Sequence, residues 1–197
     1  MIGARLQKPS ANDMNETFET LIGEPPSDGG DDDPEPPRRL QLDIIIEDGN
    51  WGAFAPVEEA FGEVADAVAR RLDLEPAEAA IALSSDARVQ ALNRTYRGKD
   101  KPTNVLSFPA GADGLPPGSR RHLGDIVLAA ETVAREAAAE GKPLRHHVQH
   151  LAVHGLLHLL GYDHETGPEA AGMEALEVEI LEQLGVPDPY APKALET

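Results

Sequence analysis

Leu144-Arg-His-His-Val-Gln-His-Leu-Ala-Val-His-Gly-Leu-Leu-His-Leu-Leu-Gly-Tyr-Asp-His164 is the segment from which the rest of the chain can be read. Apolar residues crowd it and Gly161 closes it, so the sequence predicts a long apolar helix over Leu144–Leu160. Five of the seven histidines lie on that helix: His146, His147, His150, His154 and His158. Four of them, His146, His150, His154 and His158, recur every fourth residue and share one face. A single histidine on such a face is ordinarily a packing residue. Four in register on an apolar element mark a site.

Geometry narrows which of them share an ion. A helical turn rises about 5.4 Å and a Zn–N bond is about 2.0–2.1 Å, so two histidines four residues apart converge on one metal. Three at successive turns span about 12 Å of axis, which is too far. A third ligand must come from outside the helix. Gly161 ends the helix three residues after His158, and Gly161-Tyr-Asp-His164 can curl back to present His164. Gly155 removes a side chain beside His154 and is read as leaving room near the metal. Three imidazoles with an open fourth position is the catalytic zinc pattern. One zinc ion on His154, His158 and His164 is therefore expected. The competing pair, His150 with His154 completed by His122 or His146, ranks below it because no turn follows to deliver a third ligand.

Working outward, Leu40–Ile46 reads as a strand. Val57, Phe61, Val64, Val68 and Leu72 recur at helical spacing after Pro56. Ala79–Leu83 is a short strand. Ser84 or Ser85 caps a helix with Val89, Leu92 and Tyr96 on its face. Val105–Phe108 is a strand ended by Pro109, and the Gly/Pro-rich loop 111–118 follows. His122–Ala129 is another strand, with Gly124 as a bulge or close approach. Glu131–Glu140 is an alanine-rich helix stopped by Gly141, and Pro143 starts the next. Pro168–Leu184 is the last helix, with Met173, Leu176, Ile180, Leu181 and Leu184 on one face. The fold class expected is α+β: a small mixed sheet of about four strands with about five helices.

The chain has 197 residues, 41% of them hydrophobic, enough for one domain with a core. It has no cysteine, which excludes disulfides and thiolate metal sites. Residues 1–38 are expected to form an acidic, Pro/Gly-rich disordered tail, and residues 39–190 the functional domain. No stretch reaches the roughly 18 apolar residues of a membrane span, and no export segment is read at the N-terminus, so no membrane association and a cytoplasmic location are expected. The formal net charge of -18 argues, on average, against nucleic acid. Locally the balance reverses: Arg94, Arg97, Lys99 and Lys101 lie within eight positions, and Arg120 and Arg121 precede the Gly124 strand.

The histidine spacing matches zinc hydrolases of the His-Glu-x-x-His type, but Gly155 stands where their general base would be. That rejects a peptidase unless a carboxylate arrives from elsewhere. Asp163 and Glu165 are candidates by sequence proximity, and are read as orienting ligands or capping the last helix.

His154-Gly-Leu-Leu-His-Leu-Leu-Gly-Tyr-Asp-His164 resembles the signature of the bacterial YbeY family, metal-dependent endoribonucleases of ribosomal RNA maturation. Leu92-Asn-Arg-Thr-Tyr-Arg-Gly-Lys-Asp-Lys-Pro-Thr-Asn-Val-Leu-Ser-Phe-Pro109 is similar to the family's second block, and Gly124-Asp-Ile-Val-Leu128 to its strand motif. The resemblance spans roughly residues 40 to 185. It implies a zincin-like metal helix, metal ligands at His154, His158 and His164, and a functionally important arginine at Arg97. It also implies a single-strand-specific endoribonuclease acting on the small ribosomal subunit, in rRNA 3′ end maturation and ribosome quality control.

Phosphodiester cleavage needs an activated nucleophile and stabilisation of charge on phosphorus. Zinc serves either by activating water or by polarising a phosphoryl oxygen while a 2′-OH attacks, and the sequence leaves both open. Arg94, Lys99 and Lys101 are expected to bind substrate, with Arg97 on the scissile phosphate. At 4% aromatic content, base-stacking platforms are few, so recognition should rest on backbone, shape or partners. The alternative reading is a ribosome assembly factor whose zinc is chiefly structural. Its acidic surface would then meet ribosomal-protein or GTPase partners. A third reading, hydrolysis of small phosphorylated or amide substrates, needs only the open zinc site.

Overall fold

The computed structural model describes residues 38–54, 56–111 and 120–191. The expected tail (apart from Arg38) and the loop after Gly111 lie outside them. In chain order the elements are β1 (Leu40–Ile46), a 3-10 turn (Gly52–Phe54), α1 (Val57–Leu72), β2 (Ala77–Ser84) and α2 (Asp86–Arg97). Then come β3 (Val105–Pro109), β4 (Arg121–Ala129), α3 (Ala130–Glu140), α4 (Leu144–Leu159) and α5 (Gly167–Gln183). The four strands form one mixed sheet in the order β1-β2-β4-β3. β1, β2 and β4 run parallel, while β3 is antiparallel to β4. The fold is α+β. No helix among the described residues is long and apolar enough to cross a membrane.

The main core lies between one face of the sheet and the helices α1, α4 and α5. Ile81, Leu83, Ile126 and Leu128 meet Phe61, Val64, Val68, Val153, Leu156, Leu157, Ile180 and Leu181 there. α2 covers the opposite face with a smaller cluster, Val89, Leu106, Val127 and Ala129. α4 is the central helix, touching α1, α3, α5, β3 and β4. This explains its apolar character almost all round: it has neighbours on most sides rather than one.

Two local features position the site. Opposite Ala79 of β2, β4 presents both Leu123 and Gly124, a bulge between the pairs Glu78–His122 and Ala80–Asp125. Gly124 has φ +131°, and a Cβ there would lie 2.2 Å from the Phe108 carbonyl oxygen. Only glycine lets β3 approach so closely. The other feature is α2, whose buried face differs from the sequence reading. Val89 and Asn93 are buried, Leu92 is half-buried and Tyr96 is 67% exposed. Asn93 turns inward because its Nδ2 donates to the Lys101 carbonyl at 2.8 Å, pinning the following loop. Tyr96 packs edge-on against Phe108, ring centroids 5.2 Å apart.

Candidate metal centre

α4 places His154 and His158 one turn apart, with Nε2 atoms 3.1 Å from each other. The helix closes in a Schellman motif: Gly161 N–H donates to the His158 carbonyl and Tyr162 N–H to the Leu157 carbonyl. Gly161 takes the required positive φ, +93°. The chain reverses there, and the Asp163 carboxylate accepts the His164 N–H at 2.7 Å. Thr166 then caps α5 in a capping box with Glu169. Held between two helix ends, His164 brings its ring centroid 5.5 Å from His154 and 5.0 Å from His158. One nitrogen from each of the three rings lies within 4.8 Å of the others.

Their chemistry fits a metal. His154 Nδ1 lies 2.8 Å from Glu177 Oε1. Burial pushes the Glu177 carboxyl up, but hydrogen bonds from His150, His154 and Tyr190 outweigh it and hold the group at about 2. An ionised carboxylate only accepts, so His154 carries its proton on Nδ1 and leaves the Nε2 lone pair toward the cluster. Burial, then repulsion from His154 and His164, lowers His158 below the ordinary imidazole range, with Asp163 opposing. That ring is kept neutral, as a ligand must be. Nitrogens tetrahedral about zinc lie about 3.3 Å apart. The His154–His158 separation is close to that.

The triad opens into a cleft of about 600 Å³, whose walls include Arg97, Lys99, Thr103, Asn104 and Ser107. Among the described residues Arg97 and Lys99 form no ion pair, in a chain where Arg38, Arg39, Arg71, Arg88, Arg94, Arg135 and Arg145 all do. Arg94 faces Asp100 at 3.7 Å, and neither it nor Lys101 lines the cleft. Arg120 donates to the Arg38 carbonyl at 2.9 Å and serves the scaffold. Asn104 is occupied as well: its Oδ1 accepts the Val105 N–H and its Nδ2 donates to Glu136.

Several sequence readings change. Gly155 does not make room for a metal; a Cβ there would meet Ile126 Cδ1 at 2.9 Å, so the glycine lets α4 settle on β4. The alternative ligand set is dispersed. His150 and His154 are bridged by Glu177, and His122 lies between Glu78 and Asp125. Thr166, not Asp163 or Glu165, caps α5, and the carboxylate orienting a ring is Glu177. Glu177 was missed because its signal is quiet: one acid within the stripe Met173, Leu176, Ile180 and Leu181, where it is 1% exposed. Glu165 does line the cleft, along with Asp163.

The family model described as endoribonuclease YbeY matches residues 50–185. An endoribonuclease YbeY of Rhodopseudomonas palustris (strain BisA53) is 53% identical over 153 residues, covering 76% of this chain and 89% of that one. Another, of a Chelativorans species (strain BNC1), is 50% identical over 152 residues, covering 76% and 93%. The solution structure of TM1509 from Thermotoga maritima aligns with TM-score 0.49 at 21% identity, over 79% of this chain and 100% of that one.

Proposed function

The chain belongs to the endoribonuclease YbeY family, and from that premise we propose that it cuts single-stranded ribosomal RNA at a divalent metal centre. The substrate would be the small-subunit rRNA, matured at its 3′ end in the cytoplasm, with quality control of the ribosome as a linked role. One observation carries this reading: the same cleft holds three imidazoles with nitrogens turned on each other and two cations, Arg97 and Lys99, that form no ion pair among the described residues. A phosphodiester needs both.

His154, His158 and His164 would hold one ion, for which zinc suits the three-imidazole donor set. When bound, that ion supplies Lewis acidity at the phosphodiester. Arg97 and Lys99, which line the same cleft, would hold the RNA backbone. Arg97 fits the scissile phosphate, because a guanidinium donates two parallel hydrogen bonds to non-bridging oxygens as their charge grows. Lys99 would hold a neighbouring phosphate as a point charge. Glu165 and Asp163 also line the cleft and would repel a phosphate placed beside them.

The test is incubation with precursor small-subunit rRNA, bare and in particles, beside His154→Ala, Arg97→Ala and a chelated sample. Cleavage should disappear with His154→Ala and with chelator. Arg97→Ala should fall roughly 100- to 1000-fold in kcat/KM with full metal content. Cleavage that survives His154→Ala and chelation overturns the site. Metal uptake without cleavage of any RNA overturns the nuclease reading in favour of ribosome assembly.

A further inference from the structure

Glu177 sits on α5 beneath the triad, its side chain 1% exposed. Both oxygens are engaged. Oε1 accepts from His154 Nδ1 at 2.8 Å, and Oε2 accepts from His150 Nε2 at 2.9 Å and from the Tyr190 hydroxyl. The Tyr190 ring packs edge-on against His150, centroids 5.7 Å apart. The carboxylate therefore cannot rotate without losing a partner. Among the described residues, neither His158 nor His164 has a carboxylate oxygen within hydrogen-bond distance of its ring. The triad is asymmetric: one ring is anchored and two are not.

We propose that Glu177 is a positioning residue for the metal centre, fixing the tautomer and tilt of His154 while His150 and Tyr190 fix Glu177. The proposal rests on the metal reading above. It assigns three roles outside the cleft. Glu177 holds the His154 proton on Nδ1, which leaves the Nε2 lone pair for an ion, and adds negative charge behind the ring, which raises its basicity. Tyr190, from the segment after α5, closes the carboxylate from solvent. His150, which shares the ligands' helical spacing, is assigned as a brace. A ligand held in one rotamer and one tautomer loses less entropy on binding than a free imidazole.

The experiment uses the full chain, metal-free and titrated with Zn²⁺ by competition with a chromophoric chelator. The tautomer of His154 is read separately from imidazole ¹⁵N shifts without metal. In the wild type, His154 should be the Nδ1–H form. Glu177→Gln must turn an amide nitrogen toward one of three donors, so it loses a hydrogen bond and the charge. It should bind zinc roughly 10- to 100-fold more weakly and show His154 as a tautomer mixture. Tyr190→Phe removes only the outer donor and should weaken zinc roughly 2- to 10-fold. A folded Glu177→Gln with wild-type zinc affinity and an unchanged His154 tautomer overturns the proposal. If that variant fails to fold, Tyr190→Phe with both readouts at wild-type values overturns it. A wild-type chain that takes up no zinc overturns the metal reading and this inference together, which separates the two failures.

Discussion

The two halves of α4 each carry a pair of histidines about one turn apart, and the structure uses the two pairs differently. Near the start, His147 is 4% exposed and its Nε2 lies 3.1 Å from Glu136, which also accepts from Asn104. One turn on, His150 is committed to Glu177. Near the end, His154 and His158 turn Nε2 atoms on each other and His164 joins them at the cleft. The first group gives ring nitrogens to carboxylates; the second keeps lone pairs where an ion could take them. Fourfold spacing puts imidazoles on one face, but the acceptors opposite decide which are committed to carboxylates and which could serve as ligands. His154 stands at the boundary, with one nitrogen for each use.

That division can be broken most directly at His158. His158→Ala is expected to lower zinc affinity on the order of a thousandfold, read by competition titration, because three ligands become two. Its metal-free thermal unfolding should move little, since the ring is half-buried and makes its closest contact with another imidazole. Retention of zinc within tenfold would place the ion elsewhere. His147→Ala tests the other half. It should leave zinc affinity within about twofold while lowering urea-unfolding stability by about 2–3 kcal/mol, through a cavity and a lost tie to Glu136. If zinc were lost instead, the two groups would be one site.

How much of this could be read in advance follows from distance along the chain. β1 and α1 were legible to the residue because punctuation frames them: Pro56 opens α1 and its five apolar positions keep one face. The triad was legible because its geometry is local, a helical turn followed by a glycine C-cap that returns the chain. Glu177 was not, because it lies 23 residues beyond His154 and meets it only when α5 packs on α4. Gly155 misled for the same reason: its neighbour is Ile126 of β4, which periodicity within α4 cannot reveal. Tyr96 is exposed although helical spacing put it on the packed face, while Asn93 is buried and held by a hydrogen bond to the Lys101 carbonyl that periodicity does not signal. Arg97 and Arg94 look alike as sequence, and only an acid at position 100 separates them.

The finest test uses acid, because Glu177 on α5 and His158 on α4 titrate in different windows. Glu177 has its pKa depressed from 4.5 to about 2 on folding. Its contribution is fully present above the unfolded value and is lost as pH falls toward about 2. The stability difference between metal-free wild type and Glu177→Gln should therefore be constant at pH 6 and shrink between pH 4.5 and 2.5. His158 is also lowered on folding, from its ordinary 6.5. The unfolded chain takes up that proton first, so stability falls as pH drops below 6.5 and levels off below the folded value. His158→Gln should flatten this upper window and leave the lower one intact. Urea unfolding of the metal-free wild type and both variants across pH 7.5 to 2.5 reads both. A Glu177→Gln difference that does not change below pH 4.5 would mean the carboxylate is not held ionised by His150, His154 and Tyr190. His154 would then be free to choose its tautomer, and the boundary between braces and ligands would fall elsewhere on α4.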